Sequence, residues 1–330
     1  MLIAETLALD DPRIEEFLAQ QKFLPIQQTP AWARFQESLG VASLRVAVFE
    51  DSTLVAFAQI FLKRLPLGFS KLEIPRGPLF QETWNTKHEA EIFELIVAEV
   101  EKIGWKQNAV FSRFELQAGL ALNSSKLVLA REENFPLATI RLDLTKSMED
   151  LLAEMKPKGR YNIRVAERHG ITVTAEKSAD TFFALLQKTT ARDGFSGHSK
   201  YFYQKLLDTL GEDGLLLVAS QNTTPLAAIL VTFGGDTATY YFGASDHAYR
   251  NLMAPYLVQF EAIKIAKERG CKFYDFLGVA PPDLPKHKLA GVSKFKEKFG
   301  GELVEYPVPR LRVFRPLLYR IFRLVKTLRP

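Results

Sequence analysis

Along the first 116 residues, apolar positions recur first with a helical period and then with the twofold period of strands. They predict a helix at Pro30 to Ser38, strands at Leu44 to Phe49, Leu54 to Leu62 and Lys71 to Ile74, a long helix from about Lys87 to Ile103, and a strand near Ala109 to Leu116. The turn Glu50-Asp51-Ser52 separates the first two strands. The second half gives the same order: strands at Leu215 to Ala219, Leu226 to Phe233 and Thr239 to Phe242, a helix at Ala254 to Arg269, and a strand at Lys272 to Leu277. The halves share almost no visible identity, so the repeated order is the signal. It predicts an α+β protein made of two copies of one domain, each a mixed sheet flanked by helices.

Between the copies lies SMEDLLAEMKPKGRYNIRVAERHG. Ser147 and Asp150 form a helix start of capping-box type, Pro157 stands where a second helix begins, and Gly170 stands where it stops. This helix pair is expected at the front of the second domain, which places a boundary near Ile140 and assigns residues 1–140 and 141–301 to the two domains. After Gly301, LVEYPVP has strand character and is expected to rejoin the first domain's sheet, so that residues 302–330 complete that domain.

A chain of 330 residues suits two domains, and 47% hydrophobic with 25% charged residues excludes a disordered protein. The N-terminus MLIAETLALDDPRIEEF carries acids where a signal peptide needs a basic start, and no window reaches the ~18 apolar residues of a membrane span. The expectation is a cytoplasmic protein. The single cysteine, Cys271, excludes an intramolecular disulfide and reads as a small buried hydrophobe. The five histidines, His88, His169, His198, His247 and His287, show no metal-ligand spacing.

Charge is distributed unevenly. The chain is +5 overall, yet Pro309 to Pro330 alone hold seven Lys or Arg and no acid. In that tail Phe314, Leu317, Leu318, Ile321, Val325 and Leu328 fall on one helical face, while Arg320, Arg323 and Lys326 take the opposite one and Arg315 and Arg329 flank it. Two structures produce this pattern. One is a helix lying in an anionic leaflet, favoured by the one-sided charge; the other is a terminal helix docked on the first domain.

The stretch from Tyr240 to Arg269, a strand running through a loop into a helix, resembles the cofactor-binding core of GNAT acyltransferases. In that fold backbone amides at a helix start grip a pyrophosphate, and glycines let the phosphate approach. Here the loop Tyr249-Arg250-Asn251-Leu252-Met253-Ala254-Pro255 has no glycine, and Pro255 removes a donor. The loop therefore serves coenzyme A poorly.

The blocks KPKGRYNIRVAERHG, YYFGASDHAYRNLMAPYLVQFEAI, FYDFLGV and FKEKFGG resemble the FemABX family of peptidoglycan bridge-forming aminoacyltransferases. QQTPAWARFQESLG and IPRGPLF extend the similarity to the first half. The resemblance implies tandem GNAT-like domains, aminoacyl-tRNA as donor, a lipid II or UDP-MurNAc-pentapeptide type precursor as acceptor, and no metal or coenzyme. It further implies that Lys296, the basic residue of the FK motif, engages phosphate. Where relatives often carry an acid shortly after the RGP turn, this chain has Gln81 and then Glu82.

A diphosphate-linked acceptor needs cations in a cleft, and Arg34, Arg76, Arg192, His198, Lys200, Lys294 and Lys296 are candidates, with Tyr241 and Arg250 beside them. Solvation alone is the bland account of any one of these. Arg160, Arg164 and Arg168 repeat every four residues and, with Lys158, line a helix face suited to tRNA phosphates or simply to water. Amine attack on an ester needs alignment, an oxyanion stabiliser and a route for a proton. Lys296, Asp275 and Asp246 are the catalytic candidates, and His287 falls in the same region; carboxylates beside strands also commonly tie loops to backbone amides. The resemblance thus implies a tRNA-dependent aminoacyltransferase, expected to be a monomer and, from the basic tail, peripheral on the inner membrane face. Its alternatives are an N-acyltransferase using an acyl thioester and a non-catalytic membrane-surface binding module.

Overall fold

The computed structural model describes residues 1–330 except 82–87, 131, 195, 285 and 329–330, and the side chains of 192, 193 and 326–328 are also outside the description. The chain divides into two compact units, Met1–Phe135 with Tyr306–Pro330, and Pro136–Glu305.

The first unit opens with β1 (Leu2–Thr6), α1 (Pro12–Ala19) and α2 (Pro30–Ser38). β2 (Ala42–Glu50), β3 (Thr53–Arg64), β4 (Ser70–Pro75) and the short β5 (Leu79–Phe80) follow, then α3 (Glu89–Lys106), β6 (Ala109–Glu115) and β7 (Val128–Leu129). The second unit comprises β8 (Ala138–Asp143), α4 (Met148–Glu154), α5 (Pro157–Arg168), β9 (Ile171–Glu176), α6 (Asp180–Asp193) and α7 (Lys200–Leu210). It continues with β10 (Gly214–Gln221), β11 (Thr224–Gly234), β12 (Thr237–Ser245), α8 (Ala254–Glu268), β13 (Phe273–Val279), α9 (Ala290–Lys296) and β14 (Glu302–Glu305). The chain then returns to the first unit with β15 (Arg310–Val313) and α10 (Pro316–Leu328).

Every strand and helix expected in the two repeated blocks is present, with ends that differ from expectation by no more than three residues where they are described; the expected start of the long helix at Lys87 lies outside the described residues. The reason is the alternation itself: β3 and β11 are buried over nearly their whole lengths, so their apolar runs are long and unambiguous. Among the described residues, the first unit's sheet has the order β1-β2-β3-β4-β6-β15-β7, and the second unit's has the order β14-β8-β13-β12-β11-β10-β9. In each, an antiparallel meander is joined to one parallel neighbour across a helix: β4 to β6 through α3, and β12 to β13 through α8.

Two boundaries differ from expectation. The first unit ends at Phe135, not near Ile140, because Ile140 lies inside β8 and pairs with Leu303. The returning segment also divides. Leu303 to Glu305 belongs to β14 in the second unit's sheet, whereas β15 is the strand that rejoins the first, against Phe111 to Phe114 of β6. Pro307 and Pro309 separate them, and a proline has no amide proton to offer a ladder. Cys271 is buried, and burial pushes its thiol pKa up.

α10 docks on the first unit and also leaves an apolar face open. Leu318, Tyr319 and Phe322 pack with Phe111 and Leu311, and Arg323 pairs with Glu132. Leu317, Ile321, Leu324 and Val325 stay exposed. Arg320 is exposed, and Lys326, Leu328 and Arg329 lie outside the described side chains. Among the described residues no helix is long and apolar enough to cross a membrane.

Candidate active site

In the second unit β12 and β13 pair in parallel at only three positions, Thr237 with Phe273, Ala238 with Tyr274 and Thr239 with Asp275. Both strands continue beyond that point, to Ser245 and Val279, without pairing to each other, each keeping its ladder on the other side. The β13–β8 ladder slips between Asp275 and Gly278, where Leu277 takes a left-handed φ of 57°, and β11–β12 slips between Leu230 and Val231. Bulges of this kind bend a strand away from its neighbour. The rings of Tyr240, Tyr274 and Phe276 on these two strands belong to the second unit's core, and Gln259 of α8 accepts from the Tyr274 hydroxyl at 2.6 Å.

Lys296, at the end of α9, is 6% exposed. Its ammonium donates to the Gly278 carbonyl at 2.7 Å and lies 5.4 Å from the centre of the Tyr240 ring. Gly278 O is its one hydrogen-bond acceptor among the described residues, so two of its three N–H donors remain unspent there. Burial pushes the Lys296 pKa down to about 8, partly opposed by the negative charge of Asp275. Burial also raises the Tyr240 phenol to about 12.

Asp275 is buried on β13. It accepts from the Leu277 amide at 2.6 Å, and the Arg141 guanidinium is 3.6 Å away. Thr139 Oγ1 lies 2.5 Å from Asp275 and 2.8 Å from the Leu277 carbonyl, and its single proton serves one of them. Thr139 and Arg141 are alternate residues of β8, opposite Gly278 and Asp275 in the ladder. They were missed in the sequence, although two polar side chains at a spacing of two in an apolar strand are the sign of one buried polar face.

The segment carrying Lys296 is clamped from both ends. Ser293 Oγ accepts from the Ala280 amide at 2.8 Å, which sews α9 to the end of β13. At the other end the Lys298 carbonyl accepts from the Lys156 amide at 3.1 Å, and a Cβ on Gly159 would meet that carbonyl oxygen at 2.4 Å. Gly159 therefore allows α5 to approach the turn after Lys296. Gly300 and Gly301 take φ of 83° and 86°, which only glycine adopts without strain, and Gly301 passes against the Arg141 carbonyl. The KPKG and FGG blocks are thus two sides of one contact. A cleft of about 860 Å³ adjoins it, lined by Arg141, Asp143, Lys156, Ser293, Glu297 and Glu302 among others. Lys296 is not in its wall, and Lys156 there is paired with Glu297 at 2.8 Å.

The other candidates are scattered. Asp246 caps the turn at His247–Leu252, accepting from the Ala248 amide at 3.0 Å and from Lys188 at 2.6 Å, and Lys188 holds its pKa below the usual carboxylate range. Tyr241 packs on Phe242, and Arg250 is exposed beside the His247 carbonyl. His198 stacks on Phe202, Lys200 pairs with Asp180, and Lys294 is exposed; the Arg192 side chain lies outside the description. Lys158 and Arg164 are exposed on α5, but Arg160 breaks the expected stripe: its guanidinium turns back to the Leu152, Ala153 and Met155 carbonyls at the end of α4. The open carbonyls of a helix C-terminus attract a cation more strongly than bulk water does.

In the first unit Arg34 is exposed on α2, whose first turn is capped by Thr29. Arg76 is buried, with a left-handed φ of 54° and its guanidinium 3.3 Å from the Tyr306 ring centre. The QQTP and RGP motifs meet here. Gln28 donates to the Pro75 carbonyl at 2.7 Å and accepts from the Gln59 amide at 2.8 Å, while the Gln59 side chain donates to the carbonyls of Gln27 and Thr29. Gln81 follows on, donating its amide to Val55, and Glu82 lies outside the described residues.

The FemAB family model matches residues 9–135, 130–224 and 218–327. The chain belongs to the FemAB family. Several curated relatives carry the name lipid II:glycine glycyltransferase. That of Staphylococcus haemolyticus is 22% identical over 91% of this chain and 90% of its own length, and that of Staphylococcus saprophyticus is 23% identical over 98% and 96%. Among solved structures, FemX superposes with a TM-score of 0.76 at 19% identity, covering 96% of this chain and 99% of FemX. A tandem GNAT protein from the clavulanic acid biosynthesis pathway gives 0.56 at 11% identity, covering 94% of this chain and 98% of its own. This FemAB-family protein therefore has the tandem GNAT-like fold. Among the described residues no group of three or more His, Cys, Asp or Glu is arranged to hold a metal ion.

Proposed function

We propose that this FemAB-family protein is an aminoacyltransferase of peptidoglycan assembly. It takes an amino acid from aminoacyl-tRNA and joins it to the stem-peptide amine of a lipid-linked or UDP-linked muropeptide, working peripherally at the inner membrane face. The observation that carries the reading is the buried ammonium of Lys296 at the parting of β12 and β13, in a family whose relatives are named for glycyl transfer involving lipid II.

In the reaction the amine nitrogen attacks the ester carbonyl, a tetrahedral oxyanion forms, and the C–O bond to the tRNA ribose breaks as that oxygen takes up a proton. A charged lysine with unspent donors in a low-dielectric site stabilises the oxyanion. With a pKa of about 8 the same group is also easily deprotonated near neutral pH, so it is suited to passing the proton from the attacking amine to the leaving oxygen. Asp275 supports the charged form, and Thr139 and Arg141 hold Asp275 in place. An activated ester needs little further help, so alignment supplies most of the rate. Lys294, exposed on α9 two residues before Lys296, is the cation proposed for the diphosphate.

Mass spectrometry of muropeptides from cells with the intact gene, with none, and with Lys296→Ala tests the reading. A mass increment of one amino-acid residue, absent from the last two, is the expected result. Unchanged muropeptides in all three, or tight binding of coenzyme A in calorimetry, would overturn it and point to an acyl-thioester enzyme.

A further inference from the structure

The first unit builds, from three separate segments, one apolar and basic face around α10. The turn between β3 and β4 projects Leu67, which is 90% exposed and held at a left-handed φ of 60°. A leucine in that conformation with no packing in return is an outlier that asks for a use. Trp105, near the end of α3, is 51% exposed. α10 adds Leu317 (74%), Ile321 (55%), Leu324 (64%) and Val325 (44%) along one side.

These parts are joined. Asn108 donates to the Gly68 carbonyl at 3.1 Å and accepts from Arg315 at 2.6 Å, and the Arg315 guanidinium lies 5.5 Å from the Phe69 ring and 5.9 Å from that of Trp105. Trp105 packs edge-on against Phe314 at 5.3 Å. The Leu67 turn and Trp105 are thus fixed beside the start of α10, while Leu318, Tyr319 and Phe322 hold the helix to the sheet.

Residues 63–72, 104–113 and 306–330 contain no Asp or Glu, and Arg64, Lys106 and Arg320 are exposed among them. The acids nearby are already neutralised: Glu73 by Lys63 and Lys71, Glu101 by Arg312 and Lys126, Glu132 by Arg323. A second copy of this face would bring like charges together, so its charge complements an anionic bilayer and opposes self-association.

We infer that Leu67, Trp105 and the open side of α10 form one composite membrane-docking face, which seats the first unit on an anionic lipid surface with α10 lying flat. The inference deepens the peripheral-membrane part of the proposed function and rests on it. It adds that the helix does not act alone: the Leu67 turn and Trp105 enter the interface with it.

Sedimentation of the full chain with vesicles of phosphatidylcholine alone, or mixed with phosphatidylglycerol, tests this. The intact protein is expected to bind the anionic vesicles, less at high salt, and to ignore the neutral ones. The pair Leu67→Glu and Trp105→Glu, which leaves α10 intact, should weaken binding by about tenfold or more, given what burying such side chains contributes; Leu317→Glu with Ile321→Glu should do the same. If the first pair binds as the intact protein does, the composite face is refuted and the helix alone suffices. Failure of the intact protein to bind, or a dimer dissolved by Leu317→Glu with Ile321→Glu, overturns the inference outright. Transfer to a UDP-linked acceptor in solution should be unchanged in all variants. Absence of transfer from the intact protein to both a UDP-linked acceptor and a detergent-dissolved lipid-linked one refutes the catalytic proposal without touching the vesicle result.

Discussion

The Lys296 ammonium and the Gly278 carbonyl are 2.7 Å apart, and Gly278 is the residue at which β13 resumes its ladder with β8 after the bulge. The bend in the strand and the buried cation therefore belong to one feature. The carbonyl of the residue just past the bulge receives the lysine, so the lysine is held where the strand bends.

Replacing Lys296 by Met should separate stability from activity. Aminoacyl transfer is expected to fall by 100-fold or more, in line with loss of a charge stabiliser, while chemical denaturation at pH 7 shows a gain on the order of 1–3 kcal/mol. The folded-state pKa of about 8 is below the ordinary value of 10.5, so keeping the charge buried costs stability below pH 8. That cost fades as pH rises from about 8 to 10.5. The variant's advantage should shrink over the same window.

Asp275→Asn should move the pH profile of transfer. Asp275 raises the Lys296 pKa against the effect of burial, so removing its charge lowers that pKa further. The lysine limb of the pH–rate curve is expected to shift to lower pH. Arg141 also loses its carboxylate, which should cost about 1–3 kcal/mol in urea unfolding.

Gly159→Ala places a methyl group 2.4 Å from the Lys298 carbonyl oxygen, and backbone on both sides leaves little room to yield. A loss of about 1–3 kcal/mol in thermal or chemical unfolding is expected, together with a drop in turnover because the displaced segment carries Lys296.

Arg160→Ala removes the guanidinium that closes the end of α4. Stability should fall by about 1 kcal/mol with turnover and tRNA affinity unchanged, whereas Arg164→Ala should weaken any tRNA binding and leave stability alone. Filter binding and denaturation on the two variants check both halves.

Much of the fold was legible along the chain because its strands are long, apolar and separated by clear turns. Pro30, Pro157, Ser147 and Gly170 punctuated helices where the structure has them. The polar core was harder to read. Arg160, Arg164 and Arg168 look equivalent in a helical projection, yet Arg160 faces the carbonyls of a neighbouring helix that no projection contains. Thr139 and Arg141 acquire meaning only from the register that sets them opposite Gly278 and Asp275.

The amphipathic tail divides in the same way. Its one-sided charge and apolar face are local properties, since a helix of that sequence carries them wherever it lies. Which of its apolar residues meet protein and which stay open was decided by Phe111 and Leu311 in the sheet beneath. Hydrophobic periodicity, caps and breakers act within a few residues, so the sequence by itself determined the elements, their order and the two repeats. Burial, the depressed pKa of Lys296 and the return of β15 to the first sheet depend on segments far apart in the chain, and only tertiary packing brings those together.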